Sequence, residues 1–434
     1  MNGTEGRGKM KKRIILAVLI VAIAISCVFT NVAYASFGSG VAVMADAKEV
    51  IKSALAGSKV VLSDIDFKQG LCITDFESVK IETVPKSTEG TLMFAGRRVG
   101  EGTVIKRKNI GALVFIPAAK DVTECRFTFT IDGVADGKAI DFVIKFLEKV
   151  NYAPKVDGVI ETASLTTQRD ISLHGKMNGT DSEGDTLEYV IIKYPEVGSI
   201  KLLDKNSGDF LYTPPSSFVG ETEFTYVVRD EYGNFSKPAV VPIKVSERMC
   251  ETTYNDMKND VGEVAAITLT AIGAVDGRLI GDGVYFCPEE TVTKAEFLVM
   301  AMKCMGVNPD KSLTSVYFDD ADKVSTPMMP YVATAAKMGI ISGEFDGEKL
   351  NFYPNDAITK YEAAIIMSNL ADIEPSGTVE VFADSESYPV WAEAAIIEMC
   401  SAGIFDTTDN LIEGNSLMTK RASVMALYKL MSLK

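Results

Sequence analysis

One phrase of nineteen residues recurs three times toward the end of the chain, and its recurrence constrains the fold more than any other feature. It reads FCPEETVTKAEFLVMAMKC from Phe286, FYPNDAITKYEAAIIMSNL from Phe352 and, worn down, IEGNSLMTKRASVMALYKL from Ile412. An aromatic followed two residues on by aspartate recurs with it, as Tyr254 and Asp256, Phe318 and Asp320, Phe382 and Asp384, the aspartates being 64 and 64 residues apart. A glycine ending a helical stretch recurs at Gly273, Gly339 and Gly403. Units repeating at such a period bury their apolar faces against one another, so the chain from Cys250 onward is expected to be three packed helical units.

Within the phrase, Thr293 and Thr359 are helix N-caps, and Glu296 and Glu362 three residues later complete capping boxes. Thr419 keeps the cap, but Ala422 replaces the glutamate. Ala363, Ile366, Met367 and Leu370 form the buried stripe of the second helix, as Val424, Leu427 and Leu430 do in the third. Lys294, Lys360 and Lys420 stand at the first helical position, where the dipole disfavours a cation by ~0.3–1 kcal/mol. Two readings stand for these lysines: an anion site built from free amides plus an ammonium, or a solvated side chain whose stem reaches away from the dipole.

Upstream the periodicity is different. ADAKEVIKSALAG, within residues 36–58, is compatible with a helical lead-in. From Lys59 to about 150 short β-rich runs alternate with turn residues, and the same grammar returns over 151–247. Regular short strands punctuated by Gly, Pro, Asn and Asp indicate β-sandwiches. The two regions look like tandem copies: Pro85 and Gly90 match Pro195 and Gly198, Phe115 and Pro117 match Tyr212 and Pro214, and Phe127-Thr128-Phe129 with Asp132 matches Phe224-Thr225-Tyr226 with Asp230.

At the start, Arg7, Lys9, Lys11, Lys12 and Arg13 precede an apolar run over 14–29 and Ala33-Tyr34-Ala35, the pattern of a secretory signal peptide cleaved near Ala35. A rival is lipoprotein processing at Cys27, which Ala24-Ile25-Ser26 loosely suits. No later stretch approaches the ~18 apolar residues of a membrane span. Removing residues 1–35 takes away five basic groups and one glutamate, moving the formal charge from −15 to −19. So acidic a surface argues against nucleic acid and is compatible with divalent cations. Six scattered cysteines remain, at 72, 125, 250, 287, 304 and 400, and read as buried thiols with their redox state open.

The 151–247 region resembles bacterial immunoglobulin-like and cadherin-like modules through NYAP, GTDSEGDTLEY and GDFLYTPPSSFVGETEFTYVVRDEYGN. The helical units resemble the S-layer homology domain. FDD, GIISG, FYP and ITKYE carry the likeness in the second unit, YND, GAVDG, FCP and VTKAE in the first, and FAD, WAEAAI, AGIF and a degraded MTKRA in the third. The unit boundaries fall at 250–310, 311–374 and 375–434. Together these resemblances imply a multidomain chain with all-β sandwich modules followed by an all-α pseudo-threefold bundle of three S-layer homology repeats. They imply binding of secondary cell-wall polysaccharide, attached to peptidoglycan and carrying pyruvylated sugar, in grooves between units. The residues implied as ligands are Lys294, Lys360, Lys420, Asp256, Asp320, Asp384, Gly277, Gly343 and Trp391. Lysine stands where the family usually has arginine, which loses bidentate recognition of a carboxylate. Trp391 aligns with Val261 and Pro327, and the third unit lacks the phrase's Pro and Glu, so one or two competent grooves are expected, the second unit's phrase best preserved. The aspartates have a second reading as helix caps, and Trp391 one as core.

Asp181, Glu183, Asp185 and Asp230 supply oxygen ligands of the kind calcium takes, although acidic residues around a glycine are also ordinary turn formers. The spacing is not that of an EF-hand. Catalysis is hard to seat: His174 is the one histidine, expected on the surface or an edge, and without a second there is no usual zinc site or Ser-His-Asp arrangement. The expectation is therefore a non-catalytic Gram-positive cell-surface protein anchored by its helical units, displaying sandwiches for structural or adhesive roles, with other S-layer or surface proteins as further partners. The alternative is an accessory or carbohydrate-active component whose sandwiches bind or process an external glycan.

Overall fold

The computed structural model describes residues 49–132, 138–156, 165–371, 382–407 and 410–433. The leader expected at 1–35, its cleavage at Ala35 and the Cys27 alternative lie outside those residues.

The first sandwich contains strands β1 (Glu49–Leu55), β2 (Val60–Val61), β3 (Ser78–Ile81), β4 (Gly90–Phe94), β5 (Arg97–Arg98), β6 (Val104–Lys106), β7 (Leu113–Pro117), β8 (Glu124–Ile131) and β9 (Ile140–Leu147). They form two sheets, β1-β9-β8-β3-β6 and β2-β7-β4-β5. The described part of the expected helical lead-in is strand β1, paired in parallel with β9 over its whole length. Ladder bonds to β9 and full burial of Val50 outweigh the modest helix propensity of the segment. A helix, α1 (Asp64–Leu71), interrupts the expected β-rich run. It starts from Ser63 and Asp66 in a reciprocal cap and buries Phe67 edge-on to Phe129 at 5.0 Å.

The second sandwich contains β10 (Thr166–Gln168), β11 (Leu173–Lys176), β12 (Leu187–Lys193), β13 (Ser199–Leu202), β14 (Asp209–Thr213), β15 (Gly220–Asp230) and β16 (Ala239–Ser246), in sheets β10-β16-β15-β12 and β11-β14-β13. Its pairing reproduces that of the first: the opening strand lies parallel to the last, the last antiparallel to the one before, and that one against the third. The Gly and aromatic positions that match between the two sequences make one contact in both. A Cβ on Gly90 would lie 2.4 Å from the Phe115 ring, and one on Gly198 would lie 2.6 Å from the Tyr212 hydroxyl. Only glycine admits so close a ring.

The sandwiches meet through Cys72, Val190, Ile192 and Val227 and through Lys145 Nζ donating to the Glu231 carbonyl at 3.0 Å; Asn151, which opens the second, donates through Nδ2 to Asp230 Oδ2 at 2.7 Å. The second sandwich joins the helical region through a buried clasp. Gln168 Nε2 donates to Thr268 Oγ1 at 3.0 Å while Gln168 Oε1 accepts from Met249 N at 2.9 Å. His174 lies on β11, where Nε2 pairs with the Asn259 carbonyl at 2.8 Å. No disulfide joins any two of the six described cysteines, three of which are buried.

The helical region contains α2 (Glu263–Ala271), α3 (Lys294–Cys304), α4 (Met329–Met338), α5 (Lys360–Leu370), α6 (Glu393–Ser401) and α7 (Lys420–Ser432) around one continuous apolar core. Two hairpins project from it, β17 (Arg278–Ile280) with β18 (Gly283–Tyr285), and β19 (Glu344–Phe345) with β20 (Leu350–Asn351).

Candidate functional site

The recurring phrase closes a ring. The amide of Val292 donates to the Met418 carbonyl at 3.0 Å, that of Met418 to Ile358 at 2.9 Å, and that of Ile358 to Val292 at 2.9 Å. All three side chains are buried, so each unit supplies the partner the next one needs. The helix starts continue the exchange. Lys294 N donates to the Asp356 carbonyl and Ala295 N to Pro354; Lys360 N donates to Ser416 and Tyr361 N to Gly414; Lys420 N donates to Glu290 and Arg421 N to Pro288. The third amide of each helix goes to its own threonine cap. The anion site expected from free amides is therefore not there. The first-turn donors that would bind an anion are spent on a neighbouring unit's carbonyls.

The aspartates hold the other side of the same turn. Asp256 accepts from the amides of Phe286 and Cys287 at 2.8 and 2.7 Å. Asp320 does so from Phe352 and Tyr353 at 2.9 and 2.8 Å. Asp384 accepts from Ile412 and Glu413, at 2.9 Å for the closer bond to Glu413. The second residue of each clamped pair has positive φ, Cys287 at 59°, Tyr353 at 56° and Glu413 at 54°, a conformation disfavoured by roughly 1–2 kcal/mol for a residue with a Cβ. Burial works against the charge of Asp384, but the Tyr388 hydroxyl and the two amides outweigh it and hold the carboxyl below its ordinary range. Asp320 and Asp384 stand at the start of short 3-10 turns without a side-chain cap bond, and α2, which follows Asp256, starts from Gly262.

With amides and carboxylates engaged, the lysine side chains cross the unit boundaries. Lys294 Nζ pairs with Glu344 Oε1 at 2.8 Å and Glu362 Oε1 at 2.5 Å, and lies 5.4 Å from the Tyr353 ring centre. Lys360 Nζ donates to the Ile412 carbonyl at 2.6 Å, near the Phe405 ring. Lys420 Nζ donates to the Asp276 carbonyl at 2.9 Å, 4.6 Å from the Phe286 ring centre. Each thus meets the loop that follows the next unit's first main helix.

Two cavities open at these boundaries. One of about 760 Å³ brings Lys294, Gly343 and Trp391 together with Glu344 and Glu362. The other, of about 320 Å³, contains Lys420, Asp276 and Arg278 on either side of Gly277. Trp391 is not core: it is 60 % exposed and stands edge-on to Tyr361 at 6.2 Å. Gly343, at φ +74°, would place a Cβ 2.6 Å from the Phe318 ring, and Gly277 one 2.4 Å from the Tyr254 ring. Both glycines let the loop lie on the aromatic that opens its unit. Glu344 and Arg278 were missed in the sequence; the signal was that they follow the equivalent glycines and differ in charge.

Far from these grooves, Asp181, Asp185 and Asp230 each direct a carboxylate oxygen into one group within 4.8 Å. Asp230 is buried and holds its own loop through the amides of Tyr232 and Asn234. Asp181 Oδ2 and Asp185 Oδ2 are buried without a hydrogen-bond partner, the condition a cation relieves. Burial raises the Asp230 and Asp185 carboxyls above their ordinary range, and Asp181 adds repulsion to both. Glu183 stands outside the group, exposed and accepting from Tyr152 N at 3.3 Å and Ser182 Oγ at 3.0 Å.

Comparison with known proteins agrees with this division. Residues 151–243 match the bacterial Ig domain, and residues 317–364 match the S-layer homology domain. An amylopullulanase of Thermoanaerobacterium thermosulfurigenes is 27 % identical over 187 residues, 40 % of this chain and 9 % of the relative. Exoglucanase XynX of Acetivibrio thermocellus is 25 % identical over 189 residues, 41 % of this chain and 16 % of the relative. The chain thus spans under a fifth of either relative's length. Among solved structures, the fibronectin(III)-like modules of Clostridium thermocellum CbhA align with a TM-score of 0.21 at 14 % identity, over 48 % of this chain and 97 % of that one. The human desmocollin-1 ectodomain aligns with a TM-score of 0.19 at 16 % identity, over 46 % and 39 %. Scores this low carry no argument about this chain. No helix among the described residues is long and apolar enough to cross a membrane. The chain carries a bacterial Ig domain followed by an S-layer homology domain, the module of proteins held at the bacterial cell surface.

Proposed function

We propose that this protein is exported through a leader at 1–35 and held non-covalently to a Gram-positive wall, where it works by binding rather than catalysis. Its anchor is a pseudo-threefold bundle of three S-layer homology units, at 250–310, 311–374 and 375–434, the last degenerate. The ligand is secondary cell-wall polysaccharide bearing pyruvylated sugar. Sandwiches at 59–150 and 151–247 are displayed outward in structural or adhesive roles. The observation that carries the reading is the cyclic exchange between phrases, which sets the lysine of each unit against the loop of the next and leaves grooves at the boundaries.

In this reading Lys294, Lys360, Lys420, Gly277, Gly343 and Trp391 border the saccharide, whereas Asp256, Asp320 and Asp384 act by holding the turn beneath it. Titrating the purified wall polymer into the full chain by calorimetry tests it: saturable binding supports anchoring, and no heat of binding with an intact fold overturns it. We also read Asp181, Asp185 and Asp230 as a calcium site, on the strength of the two orphaned buried oxygens. When bound, calcium would offset two of the three negative charges, beside Asn151 at the start of the second sandwich.

The second reading is a carbohydrate-active accessory role: the two relatives are named as polysaccharide-degrading enzymes, and the part shared with them is under a fifth of either. Release of reducing ends from soluble polysaccharides by the full chain would support it, and no release over background would count against it.

A further inference from the structure

Lys294 and Lys420 occupy the same place in the repeated phrase, yet their electrostatic settings differ. The residue after the loop glycine sets the difference: Glu344 follows Gly343, and Arg278 follows Gly277. Lys294 is flanked by two carboxylates, so its charge is already more than balanced. Burial works against its ammonium, but the hydrogen bonds to Glu344 and Glu362 outweigh that and hold its pKa above that of an ordinary lysine. An anion entering this cleft would meet one cation and two carboxylates.

Lys420 is also half-buried, but it donates to a carbonyl rather than a carboxylate. Burial pushes its ammonium below the ordinary lysine range, and the surrounding acids do not make up the loss. A partly desolvated cation without a counter-ion is stabilised by an incoming anion. Arg278 and Lys303 line the same 320 Å³ cavity with Asp276, Glu290 and Glu296. Glu290 is held by both terminal nitrogens of Arg278, at 2.8 and 2.9 Å, and Glu296 is committed to the Thr293 cap. The Arg278–Glu290 pair is bidentate but exposed, at 60 % and 47 %, so solvent and solutes reach the guanidinium. A ligand carboxylate can compete with Glu290 for its planar fork, which suits either.

The 760 Å³ cleft has a different character. Ile340, Ile341, Phe352 and the exposed Trp391 give it an apolar wall, its one cation, Lys294, is taken up by Glu344 and Glu362, and Ser368 and Asn369 are bonded to Glu398 and the Ile340 carbonyl; an apolar wall with no unpaired cation suits an uncharged ligand better than an anion.

We propose that the grooves divide recognition between them: Lys420 and Arg278 take the acidic substituent of the wall saccharide, and the cleft between Lys294 and Trp391 takes an uncharged sugar ring. The assignment rests on the wall-polysaccharide reading. It places an anion subsite at the most degraded of the three phrases.

The test compares full-chain binding to the purified wall polymer and to the same polymer after reduction of its carboxylates to alcohols. Reduction is expected to weaken wild-type binding at least about tenfold, as loss of a charge-assisted contact does. Arg278→Glu and Lys420→Met should bind both polymers alike, and Trp391→Ala should weaken both by the same factor. Glu344→Arg should raise the number of acidic sites by releasing Lys294 from one carboxylate. Circular dichroism of each variant verifies the fold, and Arg278, being exposed, gives the variant least coupled to it. A preference for the acidic polymer that survives Arg278→Glu, or that vanishes in Lys294→Met alone, overturns the assignment. Equal wild-type binding to both polymers also overturns it, whereas wild-type binding to neither overturns the anchoring reading itself.

Discussion

Replacing Asp320 by alanine separates a clamp from a ligand. Asp320 is 4 % exposed, and its two carboxylate oxygens accept the amides of Phe352 and Tyr353 at 2.9 and 2.8 Å. A hydrogen bond to a charged group contributes about 1.5–3 kcal/mol, and stranding a buried amide adds a desolvation cost. Because the two bonds share one carboxylate they do not add fully, so about 3–4 kcal/mol is expected for the pair. For a cooperative unit of 150–250 residues each kcal/mol moves the melting temperature by about 2–4 °C, which sets a fall of roughly 6–16 °C. Scanning calorimetry of the full chain, following the helical transition, measures it. Adding Tyr353→Gly should recover about 1 kcal/mol, since glycine accepts the 56° φ that the clamp enforces. A fall of under about 2 °C accompanied by lost polymer binding would refute the clamp and make Asp320 a direct ligand.

Further outcomes follow from the same geometry. Gly343→Ala should cost about 1–3 kcal/mol, seen as a lower urea midpoint, because the new Cβ meets the Phe318 ring at 2.6 Å in a left-handed backbone. Gln168→Ala should cost about 1–3 kcal/mol and speed hydrogen exchange at Met249 and around Thr268, since it deletes both bonds of the buried clasp. Without calcium, the second sandwich should become more stable as pH falls. The folded Asp230 and Asp185 carboxyls are raised above their unfolded value, so the folded state binds more protons and stability is lost as pH rises through the raised values. Saturating calcium should flatten that dependence and raise the melting temperature at pH 7; no calcium shift at pH 7 would leave the three carboxylates as turn chemistry.

Much of this architecture was legible because repetition and periodicity are local. The capping boxes at Thr293 and Thr359, the buried stripe through Ala363, Ile366 and Met367, and the sandwich strands follow from spacing alone. The role of the phrase was not legible for the opposite reason. Whether Lys294 N, Lys360 N and Lys420 N are free depends on Asp356, Ser416 and Glu290, which come from other units. Strand β1 was misread as helix because its partner lies about ninety residues on, and only the ladder decides between two weak local preferences. Among the metal candidates, sequence proximity grouped Glu183 with Asp181 and Asp185, but side-chain direction turns Glu183 away. The electrostatic difference between the Lys294 and Lys420 grooves was on the page at Glu344 and Arg278 and needed only the repeats to be compared by charge.

The central claim is that the ring of helical units anchors the chain to a wall polymer, and co-sedimentation with cell-wall sacculi tests it most directly. The chain from residue 36 onward would be mixed with sacculi before and after extraction of the secondary polysaccharide, with peptidoglycan left intact. The account predicts sedimentation with untreated sacculi and its loss after extraction. Sedimentation that survives extraction, or that never occurs with a folded protein, would contradict it.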